Sequence, residues 1–111
     1  MILPNGEELS PLIEPVVVTS DYYIGIEQVA GFMFLHALTF RCWTPRLARE
    51  FRKALDSVCA AHVGPFFAAS HQPHNGDHAK FAKFVRLMGF RFNHTVRGTD
   101  GFRHSVYVRW R

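Results

Sequence analysis

Residues 31–90 read as strand, helix, strand, helix in one run, and this order restricts the fold more than any other feature of the chain. GFMFLHALTFRCW (31–43) is an apolar, aromatic-rich strand. TPRLAREFRKALDSVCAAHVGP (44–65) has helical periodicity, PFFAASH (65–71) is a short apolar strand, and DHAKFAKFVRLMGF (77–90) is a second helix. A hairpin cannot join parallel strands, whereas a helix-length crossover can. Residues 31–71 are therefore expected to form a parallel βαβ unit.

The first helix has a start and a stop. Thr44 is a good N-cap and Pro45 suits the first helical position, where an N–H has no partner to lose. Leu47, Ala48, Phe51, Leu55, Val58 and Cys59 share one face, while Arg46, Arg49, Glu50, Lys53 and Asp56 occupy the other. Gly64 and Pro65 end it. In the second helix Asp77 is a cap, Phe81, Phe84, Val85 and Met88 form the expected buried stripe, and Gly89 supplies a left-handed terminus.

Before this run, EPVVVTS (14–20) and DYYIGIEQ (21–28) read as antiparallel strands behind an irregular lead-in over 1–13. After it, FRFNHTV (90–96), a turn at RGTDG (97–101) and FRHSVYVRW (102–110) form a hairpin. Alternation in the last arm predicts that Phe102, His104, Val106, Val108 and Trp110 face inward and Arg103, Ser105, Tyr107 and Arg109 outward. The expected fold is one α/β (α+β) domain over 1–111: a mixed, mostly antiparallel sheet with a central parallel βαβ unit, two main helices and a C-terminal hairpin.

At 111 residues there is material for one core, and the eleven phenylalanines argue for a folded chain. No run of about 18 apolar residues is present, so no membrane span is expected. The N-terminal residues lack a basic segment ahead of an apolar one, so no signal peptide is expected. Cys42 and Cys59 stand alone and are read as buried free thiols in a reducing cytoplasm.

Charge is unevenly placed. Residues 1–40 carry five acids and no Lys or Arg, a net −5, whereas residues 41–111 carry all thirteen bases and four acids, a net +9. The polarity implies an anionic ligand or partner docking on the later part, or a solvated basic surface. Arginines interleaved with aromatic residues in 90–111 could also track a nucleic-acid backbone and stack bases. The alternation just described assigns those aromatic residues to a core, however, so nucleic acid is not the expected partner.

With HAKFAKFVRLMGF (78–90) running into a strand, the order of elements resembles the GNAT N-acetyltransferase family from its fourth strand onward. In that family Asn-x-x-Ala and an aromatic residue lead into a helix ending Leu-Gly-Phe. The resemblance covers residues 14–111, without the family's first strand and the two helices after it. FRK in the first helix, with a later helix ending Gly-Phe, is similar to short degenerate members encoded by bacteriophages.

The resemblance implies an acyl-CoA-binding protein, with acetyl-CoA as cofactor and N-acetyl transfer as the activity. It places the cofactor near Thr39, Arg41, Arg46, Leu47, Ala48 and Arg49, and near Asn75, His78 and Phe84. The family's glycine-rich pyrophosphate loop is replaced by TPRLARE (44–50), so an anion would rely on the Leu47, Ala48 and Arg49 amides, assisted by Arg46 and Arg49. Where many members carry a tyrosine general acid, this helix has Phe84 and Val85, which cannot donate a proton.

A base for the amine would be His36, whose intrinsic pKa suits proton removal, or Glu27. Each also reads as an ordinary strand residue. His71, His74, Asp77 and His78 are metal-ligand types, but the Pro73, Asn75 and Gly76 between them mark a polar loop, and no metal is expected. Two functions follow: an acyl-CoA-binding acetyltransferase acting on a target in a host bacterial cytoplasm, or an inactive relative that binds a host or virion protein through its basic face. An exposed sheet edge would let two copies pair as a homodimer.

Overall fold

The computed structural model describes residues 2, 3, 6, 8, 10–69, 78–99 and 101–110. Its class is the expected α+β: a six-stranded, mostly antiparallel sheet with one parallel pair, two helices and a C-terminal hairpin. The chain divides into two compact units, Met1–Val63 and Gly64–Arg111.

The first unit is an antiparallel meander of β1 (Glu14–Val18), β2 (Tyr22–Val29) and β3 (Phe32–Thr39), followed by α1 (Pro45–Ala60). The Thr19 hydroxyl accepts from the Asp21 and Tyr22 amides, which turns the chain from β1 into β2. Ala30 and Gly31, at φ 51° and 86°, close the β2–β3 hairpin between the paired residues Val29 and Phe32. Both central residues at positive φ is the pattern whose twist matches the flanking strands. β3 ends at Thr39 rather than running to residue 43: the Phe40 amide still donates to the Asp21 carbonyl at 2.8 Å, in register with the β2 pairing, and β2 itself begins only at Tyr22.

α1 forms as its periodicity predicts. Thr44 caps it by accepting from the Leu47 amide at 3.1 Å, and Leu47, Phe51, Leu55, Val58 and Cys59 are buried. Phe51 packs edge-on against Tyr22 of β2, with ring centroids 5.3 Å apart. β2 is buried on both faces from Tyr22 to Ile26, and on the side of Tyr23 the cover comes from Leu3, Ile13 and Phe40. Cys59 is buried as expected, but Cys42 is exposed, since it lies past the end of β3 where no neighbouring strand covers it.

The second unit contains β4 (Phe66–Ala69), α2 (His78–Leu87), β5 (Arg91–Arg97) and β6 (Arg103–Arg109). β6 lies between β4 and β5 and is antiparallel to both. The Gly89 amide bonds to the Arg86 carbonyl and the Phe90 amide to that of Val85, at 3.0 and 2.9 Å, with Gly89 at φ 91°. This is the double bond pattern that ends a helix at a left-handed glycine, with the buried Val85 and Phe90 as its apolar contact. The Asp77 cap lies outside the described residues.

The last strand corrects the sequence reading. Ser105, Val106 and Tyr107 are buried in succession, while Phe102 and Trp110 are 51% and 70% exposed. Phe81 of α2 packs on Tyr107, the face the alternation had assigned to solvent. A strand flanked on both sides and buried on both faces in its middle has no polar side to write in the sequence. Phe102 and Trp110 fall one residue outside β6, beyond its paired stretch. Among the described residues no helix is long and apolar enough to cross a membrane.

Candidate functional site

Register brings the two expected bases together. In the β2–β3 pairing Gly25 lies opposite His36 and Glu27 opposite Phe34, so Glu27 and His36 sit diagonally on one face. Glu27 Oε1 is 2.8 Å from His36 Nε2, with side-chain exposures of 23% and 15%. The pair is a carboxylate-held imidazole, the arrangement that orients a histidine for proton transfer.

Tyr23 completes this face. A Cβ at Gly25 would fall 2.1 Å from the Tyr23 hydroxyl, so the phenol occupies space that only glycine leaves. Tyr23 is 1% exposed, and its hydroxyl has no hydrogen-bond partner among the described residues. Burial, and then the charge of Glu27, push its pKa above the usual tyrosine value. Tyr23 was absent from the sequence reading; the YxGxE spacing on one strand is the signal that places its phenol beside Glu27.

The start of α1 is less open than expected. Pro45 has no N–H, the Leu47 amide donates to the Thr44 hydroxyl, and the Ala48 amide donates to the Thr44 carbonyl at 2.9 Å. Two of the three amides assigned to a pyrophosphate are therefore already satisfied. Leu47 is buried and Ala48 half-buried, and the exposed Arg46 pairs with Glu50 at 3.2 Å. Arg41 Nε lies 2.8 Å from Asp21 Oδ1, close enough for an ion pair though not aligned as a hydrogen bond. Arg49 is exposed, and Thr39 is half-buried opposite Tyr22. In the second unit Phe84 is half-buried on α2 and His78 begins that helix. Asn75, and His71, His74 and Asp77 of the metal question, lie outside the described residues.

A different surface emerges in the second unit. Residues 64–111 hold eight bases and two acids, a net +6, against five bases and seven acids, a net −2, in residues 1–63. In the first unit Arg41, Arg46 and Arg52 pair with Asp21, Glu50 and Asp56. In the second, Arg86, Arg91, Arg97 and Arg103 are all exposed and pair with no acid among the described residues. Arg97 even stands directly opposite Arg103 across the hairpin. Arg86, Gly89, Phe90, Arg91 and Phe92 line a shallow cleft of about 450 Å³. No family model, curated protein or solved structure matches this chain.

Proposed function

We propose that this is a GNAT-like chain that works by binding an anionic macromolecule through its second unit, without turnover of acyl-CoA. The reading rests on one contrast: three of the first unit's four arginines, Arg41, Arg46 and Arg52, have acidic partners and only Arg49 is exposed without one, whereas four exposed arginines on α2 and the β5–β6 hairpin have none among the described residues. Unpaired like charge held on a rigid hairpin repels itself, and an anionic partner relieves that repulsion. The satisfied amides at the start of α1 support the absence of a cofactor cradle. In this reading the protein acts in a bacterial cytoplasm, as a phage-encoded modulator of a host component.

The test pairs two ligands. Labelled polyglutamate is expected to bind at low salt and to be released as salt rises, while millimolar acetyl-CoA leaves the melting temperature unchanged. A rise with acetyl-CoA that Arg46→Glu with Arg49→Glu removes, together with no polyanion binding, would overturn the proposal.

One observation favours a second reading. The Glu27–His36 contact is the geometry of a general base, and it would serve N-acetyl transfer. There, His36→Ala abolishes turnover while keeping any shift caused by acetyl-CoA.

A further inference from the structure

Resting on the polyanion reading above, we infer that the partner is a single-stranded nucleic acid, held by its phosphates on the arginines of the β5–β6 hairpin and by stacking on the exposed rings at its two ends. At the open end, the cleft of about 450 Å³ has Arg86 and Arg91 on its rim and Phe92, 54% exposed, on its wall. A ring on the wall and two cations on the rim of an open cleft match a base and its phosphate together, where a carboxylate would use the cations alone. Trp110, the most exposed ring of the hairpin, follows β6 at this same end, since Arg91 pairs with Val108.

The far end repeats the pattern. Phe102 is half exposed beside Arg103, which faces Arg97 across the strands. From Phe102 to Trp110 the strand spans roughly 25 Å at about 3.3 Å per residue. The pairing sets Phe92, Arg97 and Arg103 on the Tyr107 face and Arg91 on the Val108 face, so a polymer with regularly repeated phosphates and bases would follow the β5 edge, from which both faces are reached, to meet a ring and an arginine at both ends. A single acidic side chain can meet only one. Stacking does not read sequence, because every base has a π-face, so binding should be tolerant of sequence with a footprint on the order of four nucleotides.

The test uses the full chain and a fluorescein-labelled 15-nucleotide oligothymidylate, followed by anisotropy, with labelled polyglutamate of matched charge as the comparison probe. The oligonucleotide should bind tighter than polyglutamate. Affinity should fall with salt at a log–log slope of about −3, the value for four arginines meeting a single strand. Phe92→Ala and Trp110→Ala should each weaken oligonucleotide binding roughly 5- to 100-fold, a larger loss than either causes with polyglutamate; Trp110 lies outside the cleft lining, whereas Phe92 also packs edge-on against Tyr107. Equal affinity for the two probes, or wild-type oligonucleotide affinity in both aromatic variants, overturns the inference while the polyanion reading stands. Failure of both probes to bind overturns both.

Discussion

Gly25 and Tyr23 are bound to each other by space. The phenol lies where a Cβ at Gly25 would be, with the Ile13 side chain 2.6 Å from the same point. Gly25→Ala should therefore cost about 1–3 kcal/mol in chemical denaturation, as overpacking does. Tyr23→Phe in that background should return part of it by removing the nearest atom, and a strictly additive pair would show that the two do not touch. The raised pKa of Tyr23 also has a sign. Below pH 10 the group is neutral in folded and unfolded chains and contributes no slope. Above it the unfolded chain ionises first, so stability falls as pH rises toward the folded-state value. Tyr22 is raised too, by its own burial and then by Glu50 and Asp21, so Tyr23→Phe should flatten the alkaline decline without abolishing it. Ala30 is a third residue under local constraint, at φ 51° without being glycine. Ala30→Gly should raise stability by up to about 1 kcal/mol, since the left-handed region costs an L-residue about that much.

Elements were legible where one face is covered and the other wet. Thr44, Pro45 and the buried set Leu47, Phe51, Leu55, Val58 and Cys59 of α1 read correctly because a surface helix writes its period plainly. β6 did not, because its middle is buried on both faces and its end rings lie past the paired residues. That misreading also hid the second surface: rings assigned to a core could not be seen as exposed. His36 and Glu27 were each visible as chemical types. Their meeting depends on register set by Ala30-Gly31, and Ala is not a residue that announces a positive φ. At this scale Arg97 and Arg103 are informative, as like charges directly opposed in a hairpin. Arg97→Glu should stabilise the fold by about 0.2–1 kcal/mol through a cross-strand pair. If those arginines serve binding, the same change should weaken polyanion affinity. Stabilisation with undiminished binding would remove Arg97 from the surface.

Across the whole molecule, the two units differ in how charge is handled. Residues 1–63 carry a small net charge with internal ion pairs, and residues 64–111 carry +6 with exposed arginines left unpaired among the described residues. Surface ion pairs add about 0–1 kcal/mol each, so stability alone does not account for so uneven an arrangement. The proposed anionic partner would. The most direct measurement compares polyanion affinity, at fixed low salt, between Arg86→Gln with Arg91→Gln in the second unit and Arg46→Gln with Arg49→Gln in the first. Both variants lose the same formal charge, so net charge cancels from the comparison. The account predicts a loss of at least tenfold for the first variant and a near wild-type affinity for the second. Equal losses, or a larger loss from the helix-start pair, would contradict it.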